Sequence, residues 1–65
     1  MKIIINSVET QTEALTLASL SKELNLPETG VAVAVNSKMI PRTDWSDFQL
    51  TENCDILIIK AASGG

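Results

Sequence analysis

The chain predicts an α+β fold, a mixed sheet of four to five strands packed on one main helix and followed by a flexible C-terminal tail. Three observations carry that prediction. Val31-Ala32-Val33-Ala34-Val35 alternates strictly, as a strand with two distinct faces does. Leu17, Leu20 and Leu24 recur at i, i+3 and i+7 and make one apolar helical stripe. Ile56-Leu57-Ile58-Ile59-Lys60 is an apolar strand that runs straight into Ala61-Ala62-Ser63-Gly64-Gly65. Residues 1–60 therefore read as one domain and residues 61–65 as the tail.

Taken in order, residues 1–5 (MKIII) are β-branched and apolar, Asn6-Ser7 is a turn pair, and residues 8–11 return as a second strand. Thr16 caps a helix over residues 17–25, with Thr12 as a rival cap. Leu26-Pro27-Glu28-Thr29-Gly30 interrupts the helix and leads to the alternating strand. Asn36-Ser37-Lys38 turns the chain back, and Met39-Ile40 forms a short strand that Pro41 ends by removing a ladder donor. Residues 42–50 are irregular or contain a helical turn, with Trp45, Phe48 and Leu50 tucked beneath the sheet.

This inventory leaves an apolar surplus. One helix covers one sheet face, so if Ile3, Ile5, Val31, Val33, Val35, Ile56 and Ile58 meet it, period-two geometry sends Ile4, Ala32, Ala34, Leu57 and Ile59 to the other side. A sheet with one wet face should alternate with polar residues there, and this one does not. Scattered apolar atoms on strands are normal, but Leu57 and Ile59 adjoin the tail, so a partner gripping them controls where the tail goes. Ile4, Ala34, Leu57 and Ile59 are accordingly read as a partner-docking patch.

Composition narrows the function. A chain of 65 residues buries only about 60% of its unfolded surface. With Trp45 and Phe48 the only aromatics, small aliphatics must fill its core. Five Lys and Arg against a net charge of −3 argue against nucleic-acid binding and against an anionic membrane surface. Met1-Lys2 leads directly into a strand pattern without a signal-peptide hydrophobic stretch, which predicts a cytoplasmic protein. A lone Cys54 in the polar turn 51–55 forms no internal disulfide, and without histidine the chain builds neither a thiol catalytic pair nor a zinc site. No enzyme, metal or bound cofactor is expected, and the free chain is expected to be monomeric.

The tail is the exception to this reticence. Two adjacent terminal glycines arise by composition about once in 200 chains at roughly 7% glycine usage. Lacking Cβ atoms, they form the thinnest backbone available. From Ala61 the tail reaches roughly 17 Å at about 3.3 to 3.6 Å per residue, enough to place a carboxylate deep inside a partner. A frayed end is the competing reading.

The start Met1-Lys2-Ile3-Ile4-Ile5-Asn6, the block Val31-Ala32-Val33-Ala34-Val35-Asn36, the run Ile40-Pro41-Arg42 followed by Trp45, and the terminal Gly64-Gly65 together resemble the ThiS family. These are small ubiquitin-like β-grasp sulfur carriers of thiamine biosynthesis, and the resemblance covers essentially the whole length. It implies that an E1-like, ThiF-like adenylyltransferase uses ATP and magnesium to convert the Gly65 carboxylate into an acyl-adenylate. A sulfur donor such as a cysteine desulfurase then displaces AMP, and the resulting thiocarboxylate is delivered to a ThiG-like thiazole synthase. Gly65 maps onto the modified residue, Gly64 onto the glycine before it, and Ser63 joins Gly64 in tail recognition. Arg42 and Trp45 match the family pattern as structural residues, Trp45 in the core and Arg42 as an ion-pair former. Asn53-Cys54 stands where relatives usually have Gly-Asp, and Asn tolerates a left-handed turn best among non-glycine residues.

Two other readings use the same tail. The small subunit of molybdopterin synthase shares its sulfur chemistry, and a ubiquitin-like modifier would join Gly65 to a target lysine.

Overall fold

β1 (Lys2–Ile5) and β2 (Val8–Gln11) form an antiparallel hairpin in register Ile5↔Val8 to Lys2↔Gln11. In the computed structural model, which describes residues 1–60, its two-residue turn holds Asn6 at φ 49° and Ser7 at φ 70°. Positive φ at both central positions is the signature of a type I′ turn, whose twist matches that of the flanking strands. The device recurs between β3 (Val31–Val35) and β4 (Lys38–Met39), where Asn36 lies at φ 51° and Ser37 at φ 71°. The turn is thus the pair Asn36-Ser37, and Lys38 already belongs to the strand.

β5 (Asp55–Lys60) completes a five-stranded sheet in the order β2-β1-β5-β3-β4. It runs parallel to β1 (Ile4↔Asp55, Ile5↔Ile56) and antiparallel to β3 from Val31↔Lys60 to Val35↔Ile56. The strand that leads to the tail therefore occupies the middle of the sheet.

The helix α1 spans Leu17–Glu23, and its seven residues are too few to hold a helix in water. Packing and caps make up the difference. Leu17 and Leu20 are fully buried against Ile3, Val33 and Ile56. All three first-turn amides find acceptors: Leu17 N–H donates to the Phe48 carbonyl at 3.0 Å, Ala18 N–H to the Trp45 carbonyl at 3.0 Å, and Ser19 N–H to Thr16 Oγ1 at 3.2 Å. Thr16 is thus the cap. Thr12, the rival, caps the preceding turn instead, accepting from Ala14 N–H at 3.0 Å while donating to Glu23 Oε1 at 2.8 Å. Thr16→Ala is expected to cost about 1 kcal/mol. In a domain of this size that lowers the thermal midpoint by about 4–8 °C, read by circular dichroism.

The helix stops two residues before the expected Asn25. Asn25 sits at φ 55°, with its N–H on the Lys22 carbonyl at 3.1 Å and Leu26 N–H on the Ser21 carbonyl at 2.9 Å. This is a Schellman ending with asparagine in the place usually taken by glycine.

Residues 42–50 contain the helical turn, a 3₁₀ segment over Arg42–Asp44, and Trp45 and Leu50 are buried beneath the sheet with Phe48 partly so. Trp45 Nε1 donates to the Ile40 carbonyl at 2.9 Å. Arg42 departs from its expected ion pair: its guanidinium lies 4.2 Å from the Trp45 ring centroid and Nη1 donates to the Pro27 carbonyl at 3.2 Å. Its planar cation covers the indole face while its N–H groups remain free to bond. Cys54 lies in the expected turn, with its N–H on the Thr51 carbonyl at 3.1 Å. It is buried in the core, because it shares the inward parity of Ile56 and Ile58. Asn53 just before it takes φ 64°, the left-handed geometry expected of it.

Candidate functional site

The outer sheet face follows from strand parity. With Ile3, Val33, Val35 and Ile56 buried against the helix, their neighbours Ile4, Ala32, Ala34, Leu57 and Ile59 point the other way. Leu57 and Ile59 are both 49% exposed. The register sets Ala34 opposite Leu57 and Ala32 opposite Ile59. On its other side Ala34 faces Met39, which is 57% exposed. Small alanines thus floor a shallow apolar trough walled by Leu57 and Ile59 on one flank and Met39 on the other.

Ile4 is half-buried, beside Asp55 across the parallel ladder. Ala34 requires a correction: at 6% exposure it lies on the outer face but is screened by its cross-strand neighbours, so it shapes the trough without offering much surface of its own. Met39 is the patch residue that sequence reasoning missed. Its place follows from the β3–β4 register, since a residue paired to Ala34 must share Ala34's face.

Polar groups mark the β1–β2 side of the sheet. Lys2 Nζ lies 3.8 Å from Glu9 Oε1, a partly exposed pair worth little in stability but fixing the charge at the β1–β2 edge. Lys2 N–H donates to Glu52 Oε2 at 2.9 Å. Among the described residues no cluster of histidine, cysteine or acidic groups is arranged to hold a metal ion, and no helix is long and apolar enough to cross a membrane.

Where β5 ends, Lys60, Ile58, Leu24, Leu26 and Asn6 line an open depression on the helix side of the sheet. Lys60 is the last described residue. The expectations for Ser63, Gly64 and Gly65 lie outside the described residues. What the geometry does place is their starting point, at the end of the central strand and next to the exposed Ile59.

The ThiS family model matches residues 2–65 of the chain. The sulfur carrier protein ThiS of Escherichia coli (strain K12) is 29% identical over 66 residues, covering 100% of both chains. A crystal structure of the thiamine biosynthesis protein ThiS from Geobacter metallireducens superposes with a TM-score of 0.83 across 100% of both chains. At 16% identity that likeness speaks for the five-stranded β-grasp fold alone.

Proposed function

The chain belongs to the ThiS family, the sulfur carriers of thiamine biosynthesis, and on that premise we propose that its cargo sulfur is carried on the carboxyl carbon of Gly65. The observation that carries this reading is that the family match runs through to Gly65, so both glycines belong to the matched pattern. A carboxylate is anionic and resonance-stabilised, and nucleophiles do not displace its oxygen. Transfer of AMP from ATP, with release of pyrophosphate, turns one oxygen into a leaving group. The terminal sulfur of a persulfide then displaces AMP, which departs with that oxygen. A thiol cleaves the resulting acyl disulfide, leaving as a disulfide with the donor's cysteine sulfur and freeing the thiocarboxylate. ATP and magnesium are held by the activating enzyme, whose charges stabilise the transfer. The carrier supplies the carboxylate and the surface by which it is recognised, working in the cytoplasm between an E1-like adenylyltransferase, a persulfide donor such as a cysteine desulfurase, and a thiazole synthase.

Intact-mass analysis tests the reading. After incubation with activating enzyme, ATP, magnesium, a persulfide donor and a thiol reductant, the chain is expected to exchange one oxygen for one sulfur, and fragmentation is expected to map the change to Gly65. An unchanged mass, or a change mapped elsewhere, sinks the idea.

The apolar trough is the docking surface in this reading. Fully burying a leucine or isoleucine is worth about 1.5–3 kcal/mol. Leu57 and Ile59, each 49% exposed, retain about half of that for a partner. The double variant Leu57→Thr, Ile59→Thr keeps β propensity and is expected to raise the KM of adenylation at least about tenfold. The thermal midpoint is expected to stay within a few degrees. An unaltered KM removes the trough from the docking surface.

A further inference from the structure

β1 and β5 do not end together. β1 stops at Ile5, paired with Ile56, and the chain turns away through Asn6-Ser7, while β5 continues to Lys60. Beyond Ile56, β5 is laddered to β3 on one side, through Val33↔Ile58, Ala32↔Ile59 and Val31↔Lys60. On the other side no strand among the described residues remains to pair with it.

One side chain takes that strand's place. Asn6 N–H donates to the Ile56 carbonyl at 2.8 Å, continuing the ladder by one bond. Its carboxamide then does what the next peptide group of β1 would have done. Asn6 Oδ1 accepts from Ile58 N–H at 2.8 Å, and Asn6 Nδ2 donates to the Ile58 carbonyl at 3.3 Å. Successive peptide groups of a strand point to opposite edges, so those two Ile58 groups face away from β3. Asn6 is their partner among the described residues.

The hand of the turn makes this possible. At φ 49° Asn6 adopts the left-handed conformation that asparagine tolerates best among residues bearing a side chain. Glycine accepts the conformation but carries no amide.

A second asparagine clasps β5 at its other end and on its other edge. Asn36, first residue of the β3–β4 turn at φ 51°, donates its N–H to the Asp55 carbonyl at 2.7 Å, and its Oδ1 accepts from Asp55 N–H at 3.0 Å. The two latches share a residue type, a turn position and a hydrogen-bonding mode. They differ in location: Asn36 holds the residue where β5 begins, and Asn6 holds Ile58, two residues before Lys60, from which residues 61–65 start.

We propose that Asn6 is a positioning residue for the reactive terminus. By completing the missing edge of β5 at Ile58, it fixes the direction in which the chain leaves the sheet at Lys60, and so the region in which the activating enzyme meets the terminal carboxylate. This rests on the functional reading above. Its consequence is kinetic. Without the latch the last residues of β5 are held on one edge only, the strand leaves the sheet at Lys60 in more than one direction, and a smaller fraction of encounters is productive. KM rises while kcat at saturation stays as it was.

The test compares Asn6→Gly with Asn36→Gly in the full chain. Glycine keeps the positive φ of each turn and removes only the carboxamide. Amide hydrogen exchange and the kinetics of ATP-dependent adenylation are read on both, with Asn6→Asp as a third variant that retains the acceptor for Ile58 N–H and lacks the donor. Asn6→Gly is expected to speed exchange at Ile58 N–H at least about tenfold, and to raise KM about three- to tenfold with kcat within a factor of two. Asn6→Asp falls between it and the native chain. Asn36→Gly lowers the thermal midpoint comparably, with Ile58 exchange and KM unchanged. A merely structural Asn6 leaves KM unmoved, or moves it equally in both glycine variants, and either result overturns the proposal. A native chain that is not adenylated at all fails the functional reading instead, and Ile58 exchange then decides the latch alone: slow exchange lost only in Asn6→Gly upholds it, and unchanged exchange removes it.

Discussion

A chain lacking Gly65 is expected to lose sulfur loading by at least about a thousandfold while folding as the intact protein does. Removing one residue draws the terminal carboxylate back by about 3.3–3.6 Å. Reactions between positioned groups lose about a hundredfold for a 1 Å misplacement, because the attacking oxygen leaves the near-attack geometry. No other group restores it: the new terminal carboxylate, on Gly64, is chemically identical but starts closer to Lys60. Stability should be untouched, since among the described residues the buried core runs from Ile3 to Ile56, with Ile58 packed against it, well before Gly65. Intact mass measures the loading and thermal melting the folding, and a shortened chain that loads at the native rate refutes the assignment of the cargo to Gly65.

Trp45→Ala is expected to be the most damaging single change to the body. Trp45 is 3% exposed, donates from Nε1 to the Ile40 carbonyl, carries Arg42 on its ring, and presents its own carbonyl to Ala18 at the start of the helix. Truncating a buried aromatic costs about 3–5 kcal/mol. A domain of 65 residues holds only about 3–10 kcal/mol in total at ~0.05–0.15 kcal/mol per residue. The variant is therefore expected to be largely or wholly unfolded at 37 °C. Far-UV circular dichroism in a urea titration is the measurement, because Trp45 is the sole tryptophan and its fluorescence disappears with it. Trp45→Phe keeps most of the ring volume but strips the Ile40 carbonyl of its donor, and should cost about 1–3 kcal/mol. A fully stable alanine variant would show that the loop packs independently of the indole.

Much of this architecture is legible in the residues because local and global preferences agree. The alternation of Val31–Val35 places a strand of the same bounds, and Thr16 before the leucine stripe places the helix start, where its hydroxyl caps Ser19. The helix end is less legible, since Asn25 extends the polar side of the stripe and only its left-handed backbone reveals a stop. On the outer face, parity alone finds Ile4, Leu57 and Ile59. The burial of Ala34 and the membership of Met39 depend on the β3–β4 and β3–β5 registers, which no short-range pattern states. The Asn6 latch joins residues 52 apart and was invisible for the same reason. The burial of Cys54 within its turn is legible too, because its spacing from Ile56 and Ile58 continues the inward alternation despite the polar neighbours Glu52, Asn53 and Asp55.

The central place of β5 also bears on when the carrier becomes competent. This strand is made last, yet it belongs between β1, more than fifty residues earlier in the chain, and β3, so it docks only into a slot that the other elements have already formed. A nascent or misfolded copy has the same terminal glycines but no seated strand behind them and no trough beside them. On the proposed reading, in which the activating enzyme recognises trough and terminus together, folding acts as a licence: ATP is spent on finished molecules and the rest are passed over.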